Sequence, residues 1–208
     1  MNCVLCDLKS EESIKFQQKL FYKCTGCQSI FLSPRFYISE EEEGERYSYH
    51  QNDVTNEGYQ HFVSPITNRI QLDFKNTARG LDFGCGRGPV ATYQLRKKGY
   101  KINLYDPFFE DHPEVLNEDY DFIICCEVME HFHEPKKEFQ QLYDLLKPGG
   151  RLYCKTSLLP KNINFEDWYY KNDPTHVFFY SEETLKWIKL QVGFGELEVF
   201  KDLIVFKK

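Results

Sequence analysis

Four cysteines near the start of the chain stand in two pairs, Cys3 and Cys6 in CVLC and Cys24 and Cys27 in CTGC, with seventeen residues between the pairs. Two residues between thiols let a tight knuckle aim both sulfurs at one ion, and a spacer of about fifteen to twenty suits two knuckles closing one tetrahedron. Four thiolates leave no open position, so the implied site is structural zinc. A second set of reactive side chains lies far downstream. EVMEHFHE carries Glu127, Glu130, His131 and His133, and NDPTHVFFY carries His176. An imidazole or a shifted carboxylate suits general-base work near neutral pH. His131 reads as a base or a substrate contact, with Glu130 beside it and His176 as the other candidate; a packing or helix-capping histidine is the competing reading. His133 is expected to face solvent. Between the two sets, LDFGCGRGPV offers Gly84, Gly86 and Gly88, where bare backbone can approach a ligand.

The elements that must position these groups alternate from Ala78 onward. RGLDFG reads as a strand and PVATYQLRKKG as a helix closed by Gly99. YKINLYD and YDFIICCEV read as strands, PKKEFQQLYDLL as a helix stopped at Pro148-Gly149-Gly150, and RLYCKTSL as another strand. Such alternation predicts an α/β fold, a doubly wound parallel sheet with its ligand at the carboxyl ends of the strands. The glycines do not match the dinucleotide pattern, because the last spacing is one residue short. Asp82 precedes them; it would sit badly beside a pyrophosphate and well beside a cation. Asp106 closes the next strand, where an acid accepts ribose hydroxyls. A ribose, a positive group and no phosphate describe S-adenosylmethionine.

The leading part divides into a ribbon, residues 1–35, and a helical connection, residues 36–77, ahead of a domain over 78–208. SIKFQQKLFYK between the knuckles suits a short hairpin, with metal substituting for a core. The run SEEEEGERYSYHQND is acidic and tyrosine-rich and reads as a solvated helix start. NEGYQHFVSPITNRIQLDF has helical spacing interrupted at Pro65. Cys85, Cys125, Cys126 and Cys154 fall in strands or turns, where Cys packs as a small hydrophobe. The net charge of −6, from 26 basic and 32 acidic residues, argues against a nucleic-acid backbone as partner. Neither a secretory leader nor a membrane-spanning run is recognisable, so the expectation is a cytoplasmic chain. Oligomeric state is open.

Taken in order, LDFGCGRG, NLYDP, YDFIICCEVMEHFHEP and LLKPGGRLYCKTS resemble the class I S-adenosylmethionine-dependent methyltransferases from Ala78 to about Phe194. WYYKNDPTHVFFYSEETLKWI further resembles a subgroup with an Asp-x-Thr-His segment before a late helix, here N-capped by Ser181. The resemblance implies a Rossmann-like sheet ending in an antiparallel hairpin, for which ELEVF and LIVFK are suited. It also implies that Asp82, Gly84, Cys85, Gly86 and Gly88 line the methionine end of the cofactor. Asp106 would hold the ribose, Pro107 and Phe108 would pack near adenine, and Cys126 and Glu127 would approach the methionine moiety. Trp168, Tyr169 and Tyr170 read equally as an aromatic wall of the site or as core packing. One departure stands out: thirteen residues separate Asp106 from Tyr120, where the family holds a helix and a third strand. Asp111, Glu114, Glu118 and Asp119 are the acids left to meet the adenine amino group. CEVM lacks the Asn/Asp-Pro-Pro-aromatic tetrad of the exocyclic-amine methylases. The leading expectation is methyl transfer to a small molecule. The alternatives are a zinc-ribbon RNA methyltransferase, a sugar C-methyltransferase lacking its further domain, and a scaffold with a decayed pocket.

Overall fold

The computed structural model describes residues 1–10, 12–49, 53–161 and 164–208. Strands β4 (Arg79–Phe83), β5 (Lys101–Tyr105), β6 (Tyr120–Cys126) and β7 (Leu146–Lys155) pair in parallel. The hairpin β9 (Glu196–Phe200) and β10 (Leu203–Lys207) joins them antiparallel, in the order β5-β4-β6-β7-β10-β9. The mostly parallel doubly wound sheet and its terminal hairpin are those the sequence implies. Strand β6 shows why both faces need cover: Ile123 and Cys125 enter one core cluster, Phe122 and Ile124 the other, all four fully buried.

Helices α2 (Glu57–Asp73) and α3 (Val90–Arg96) cover the Phe122 face. Helices α4 (Pro135–Asp144) and α5 (Glu182–Ile188) cover the Cys125 face, together with the amino-terminal ribbon. Ser181 caps α5, its hydroxyl accepting from Thr184 N. In the ribbon, β1 (Glu12–Phe16) and β2 (Lys19–Lys23) form the expected hairpin, and β3 (Ile30–Leu32) follows. A fourth strand, β8 (Phe178–Phe179), comes from far downstream, so that the second sheet runs β1-β2-β3-β8.

Two expectations are corrected here. Helix α2 runs unbroken through Pro65. A proline withholds the N–H that His61 O would accept, and Ser64 Oγ donates to that oxygen instead, at 2.7 Å. The glutamate run does begin a helix, α1 (Glu40–Ser48), with Ser39 and Glu42 in a capping box. Glu43, however, is buried rather than solvated. Between β5 and β6 lies a single 3-10 turn, Pro113–Asn117, and β5 is the sheet edge. The Tyr120 hydroxyl ties that turn down by donating to Val115 O at 2.7 Å. No helix among the described residues is long and apolar enough to cross a membrane.

Candidate active site

The carboxyl ends of β4, β5 and β6 open into a cleft of about 1100 Å³. Its floor is the glycine loop. Gly84 and Gly86 hold φ of 71° and 62°, and a Cβ on Gly84 would lie 2.5 Å from Val128. Asp106, almost fully buried at the end of β5, organises the loop. Its Oδ2 accepts from Gly86 N at 2.8 Å, and Oδ1 accepts from Phe108 N and Phe109 N at 2.9 and 3.2 Å. Asp82 lies beneath, accepting from Thr92 Oγ1 at 2.7 Å. Burial raises its carboxyl to about 6. Burial also pushes the Cys85 and Cys126 thiols up, so both are neutral and unreactive. Gly88, Pro107 and Phe108 complete this wall.

Across the cleft the exit of β6 carries the acids. Glu127 has φ of 53°, a left-handed conformation uncommon for a residue with a Cβ. Its N–H donates to Lys155 O at 2.8 Å, which fixes that backbone. Burial, reinforced by the Glu130 carboxyl, raises Glu127 to about 8. The Tyr170 hydroxyl reaches Glu130 Oε1 and lies 3.2 Å from Glu127 Oε2. Glu130 is fully buried, and burial raises its pKa.

Backbone carbonyls orient both histidines. His131 Nδ1 lies 3.0 Å from Thr175 O, and His176 Nδ1 lies 2.7 Å from Tyr170 O. A carbonyl only accepts, so a proton on Nδ1 satisfies each contact and leaves Nε2 with its lone pair; at His131 the Tyr47 hydroxyl, 3.2 Å from the same Nδ1, is then a second acceptor. His131 Nε2 is 4.0 Å from Glu130 Oε1, and the rings stand edge to face at 4.8 Å. Burial lowers the His176 pKa, and neighbouring His131 adds to this. Ligating atoms of Glu130, His131 and His176 all fall within 4.8 Å of one another. Acceptors converge here, so the group that fits among them is a proton, a substrate O–H or N–H, or a cation.

Three placements differ from expectation. His133 does not simply face solvent; it stacks on Tyr37 at 4.4 Å and sets Nε2 3.1 Å from Glu43 Oε1. Trp168 enters the core against Phe165 and Phe179, Tyr170 lies under the acids, and Tyr169 is exposed. The aromatic wall of the cleft is instead Tyr37, Tyr47, Tyr59 and Phe62, from the helical connection. Tyr47 meets Phe108 and His131 edge-on, at 5.3 and 5.4 Å. Arg46 bonds Asp173 at 2.7 Å, tying α1 to the Asp-Pro-Thr-His loop. The tyrosine-rich run was the one available signal for this wall.

On the far side of the ribbon the four early cysteines come together. Cys3 and Cys27 sulfurs are 3.7 Å apart, Cys6 and Cys24 sulfurs 3.3 Å, and all four lie within 4.8 Å. A tetrahedral zinc with bonds of about 2.3 Å has edges of about 3.8 Å, so the donor set fits. Ser29 Oγ, 3.2 Å from Cys27 Sγ, is placed to donate to a thiolate.

Known proteins resemble parts of this chain. A family model described as a methyltransferase domain matches residues 55–199. A ubiquinone biosynthesis O-methyltransferase from Pseudomonas savastanoi pv. phaseolicola is 32% identical over 82 residues, 38% of this chain and 34% of that protein. One from Shewanella sp. is 35% identical over 77 residues, 37% and 33% of the two chains. The matches therefore span about a third of the length of these relatives. A SAM-dependent methyltransferase from Archaeoglobus fulgidus superposes with a TM-score of 0.56 at 19% identity, covering 72% of this chain and 94% of that one. The 1,6-didemethyltoxoflavin-N1-methyltransferase of Burkholderia thailandensis, bound to 1,6-didemethyltoxoflavin and S-adenosylhomocysteine, gives 0.55 at 15% identity over 95% and 99% of the two chains. Identities this low carry the fold alone. With the family model spanning most of its length, the chain belongs to the methyltransferase-domain family and has the fold of the S-adenosylmethionine-dependent methyltransferases.

Proposed function

We propose that this protein transfers a methyl group from S-adenosylmethionine to a small acceptor bearing an O–H or N–H. One observation carries the reading: a single cleft joins the Asp106-organised glycine loop to the Glu130, His131 and His176 cluster. When bound, the cofactor supplies an electrophilic methyl carbon on a sulfonium. Asp106 would accept from the ribose at Oδ2, the carboxylate oxygen with a single backbone partner, and the backbone of the loop at Gly84, Cys85, Gly86 and Gly88 would admit the methionine end. Phe108 and Pro107 would border the adenine. Glu127 and Asp82, raised by burial, would meet the cofactor's ammonium as carboxylates. His131 takes the acceptor's proton at Nε2, Glu130 offsets the resulting charge, and His176 orients the same atom. The bound cofactor would offer its methyl carbon to the acceptor's electron pair, and its sulfur would keep the pair of the bond that breaks. Residues 1–35 serve as a structural zinc ribbon held by Cys3, Cys6, Cys24 and Cys27.

The lining also bears on the acceptor. Its acids include Glu40 and Glu43, and Arg87 is the one Arg or Lys that lines it among the described residues. Burial raises Glu127, Glu130 and Glu138 toward their neutral forms, so what disfavours an anionic acceptor or an RNA backbone is the lack of a cationic cluster rather than a wall of fixed negative charge. The aromatic rings of the lining, Tyr49 with those named above, favour a flat, apolar body. The test is calorimetry with S-adenosylhomocysteine. Binding by the parent, weakened at least about tenfold by Asp106→Ala, supports the proposal. A parent chain that gives no heat removes it in favour of a scaffold.

A further inference from the structure

We propose that the four-cysteine ribbon is a positioning element of the catalytic half of the cleft: through β3 it holds the segment that carries His176 against the exit of β6. The inference rests on the cleft reading above and gives the ribbon a task beyond its own folding.

The connection is a chain of backbone bonds. Strand β3 pairs with β8 in antiparallel register, Ile30 opposite Phe179 and Phe31 opposite Phe178. One residue on, Leu32 N–H donates to Val177 O at 2.8 Å, and Val177 N–H donates to Glu130 O at 2.9 Å. Val177 is therefore bonded to the ribbon on one side and to the acid-bearing turn on the other. His176 is its immediate neighbour. A third tie leaves the second knuckle itself: Thr184 Oγ1 donates to Cys27 O at 2.9 Å, in a fully buried spot at the start of α5. Side chains follow the same route. Phe21 of β2 packs on Phe165 and Phe179, at 5.1 and 6.1 Å. Trp168 closes over those rings, and the residues after it lead to Tyr170, whose carbonyl orients His176.

Among the described residues the glycine loop has no such backbone tie to the ribbon: it is held by Tyr105 O and Asp106, and α3 packs in the cluster on the opposite sheet face, which contains no described ribbon residue. Its link to the ribbon is the shared side-chain core, where Leu81 and Phe83 of β4 lie in the same cluster as Phe21 and Phe31. A two-residue strand cannot persist unpaired, and a ribbon this small depends on its metal to stay folded. Metal at the cysteines thus fixes where His176 and Glu130 stand, while leaving the glycine loop indifferent.

The experiment uses the full chain, with zinc content measured first. Two variants are compared with the parent: Cys6→Ser, which removes the least buried ligand, and Thr184→Val, which leaves every ligand in place. Readouts are the ring resonances of ¹³C-labelled histidine, with His176 assigned through H176Q, and the affinity for S-adenosylhomocysteine. The expected result is a shifted or broadened His176 signal in both variants, with that affinity held within about threefold. An unmoved His176 signal in a Cys6→Ser chain that has lost its zinc overturns the proposal. So does loss of S-adenosylhomocysteine binding in step with the signal, because the effect would then be global. A parent that holds no zinc defeats the zinc assignment instead, and Thr184→Val, read against that parent, then decides whether the ribbon positions His176. A parent that binds no S-adenosylhomocysteine defeats the methyltransferase reading, while the His176 signal still tests the ribbon tie.

Discussion

Glu127 combines a left-handed backbone with a carboxyl raised to about 8. Between the ordinary carboxylate range and about 8 it is protonated when folded and ionised when unfolded. The unfolded chain then binds fewer protons at this site, so the contribution of Glu127 to stability is fully present in acid and falls as pH rises through that window. We expect thermal melts of the ligand-free protein to drop from pH 5 to pH 8, and Glu127→Gln to flatten most of that slope. On the proposed reading, S-adenosylmethionine would bring an ammonium to the same carboxyl. Calorimetry at pH 7 in buffers of differing ionisation enthalpy should therefore report release of about one proton, absent in the Gln variant. The two glycines before it differ in kind. Gly84→Ala meets both the positive φ and Val128, and should cost about 2–4 kcal/mol in urea unfolding. At Gly86 nothing lies within 4 Å of a new Cβ, so Gly86→Ala should cost only the conformational penalty, about 1–2 kcal/mol.

At the scale of elements, α2 shows a sequence rule overruled by one side chain. Proline in a helical pattern normally marks a break, yet Ser64 supplies the missing donor. Ser64→Ala should leave His61 O without that bond and lower stability by about 0.5–1.5 kcal/mol, measured by chemical denaturation. The strands, the glycine loop, Asp106 and the hairpin were legible because each is written in local alternation and turn chemistry. The pairing of β3 with β8 was not, since two residues of strand carry no period and their partner lies at the other end of the chain. Neither was the tyrosine wall. Tyr47 faces His131 because Arg46 and Glu43 anchor α1 to Asp173 and His133, and those are pairings across space. Likewise nothing in EVMEHFHE revealed that His133 would find a partner, while the adjacency of Glu130 and His131 was plain.

Across the whole molecule, charge argues with one voice. The chain carries −6 overall, and the cleft wall is acid-rich. Of the ribbon lysines, Lys19 is partly buried, and burial lowers its pKa. A gel shift with structured RNA should show no complex even at about 50 mM salt, and reversal of Lys15, Lys19 and Lys23 to glutamate should change nothing. A complex that dissolves steeply with salt would restore the RNA alternative.

The brevity of the stretch from Pro107 to Asp119 leaves its mark on the cleft's outer bank. With a lone turn beyond β5, the purine of a docked donor would rest against the Phe108 and Phe109 rings, with Arg87 lying 5.9 Å over the latter, and with no further strand behind them. Discrimination among nucleosides at that bank would fall to ring stacking rather than enclosure, so a base enlarged at its outward edge would be tolerated there more readily than a change to the sugar beneath it.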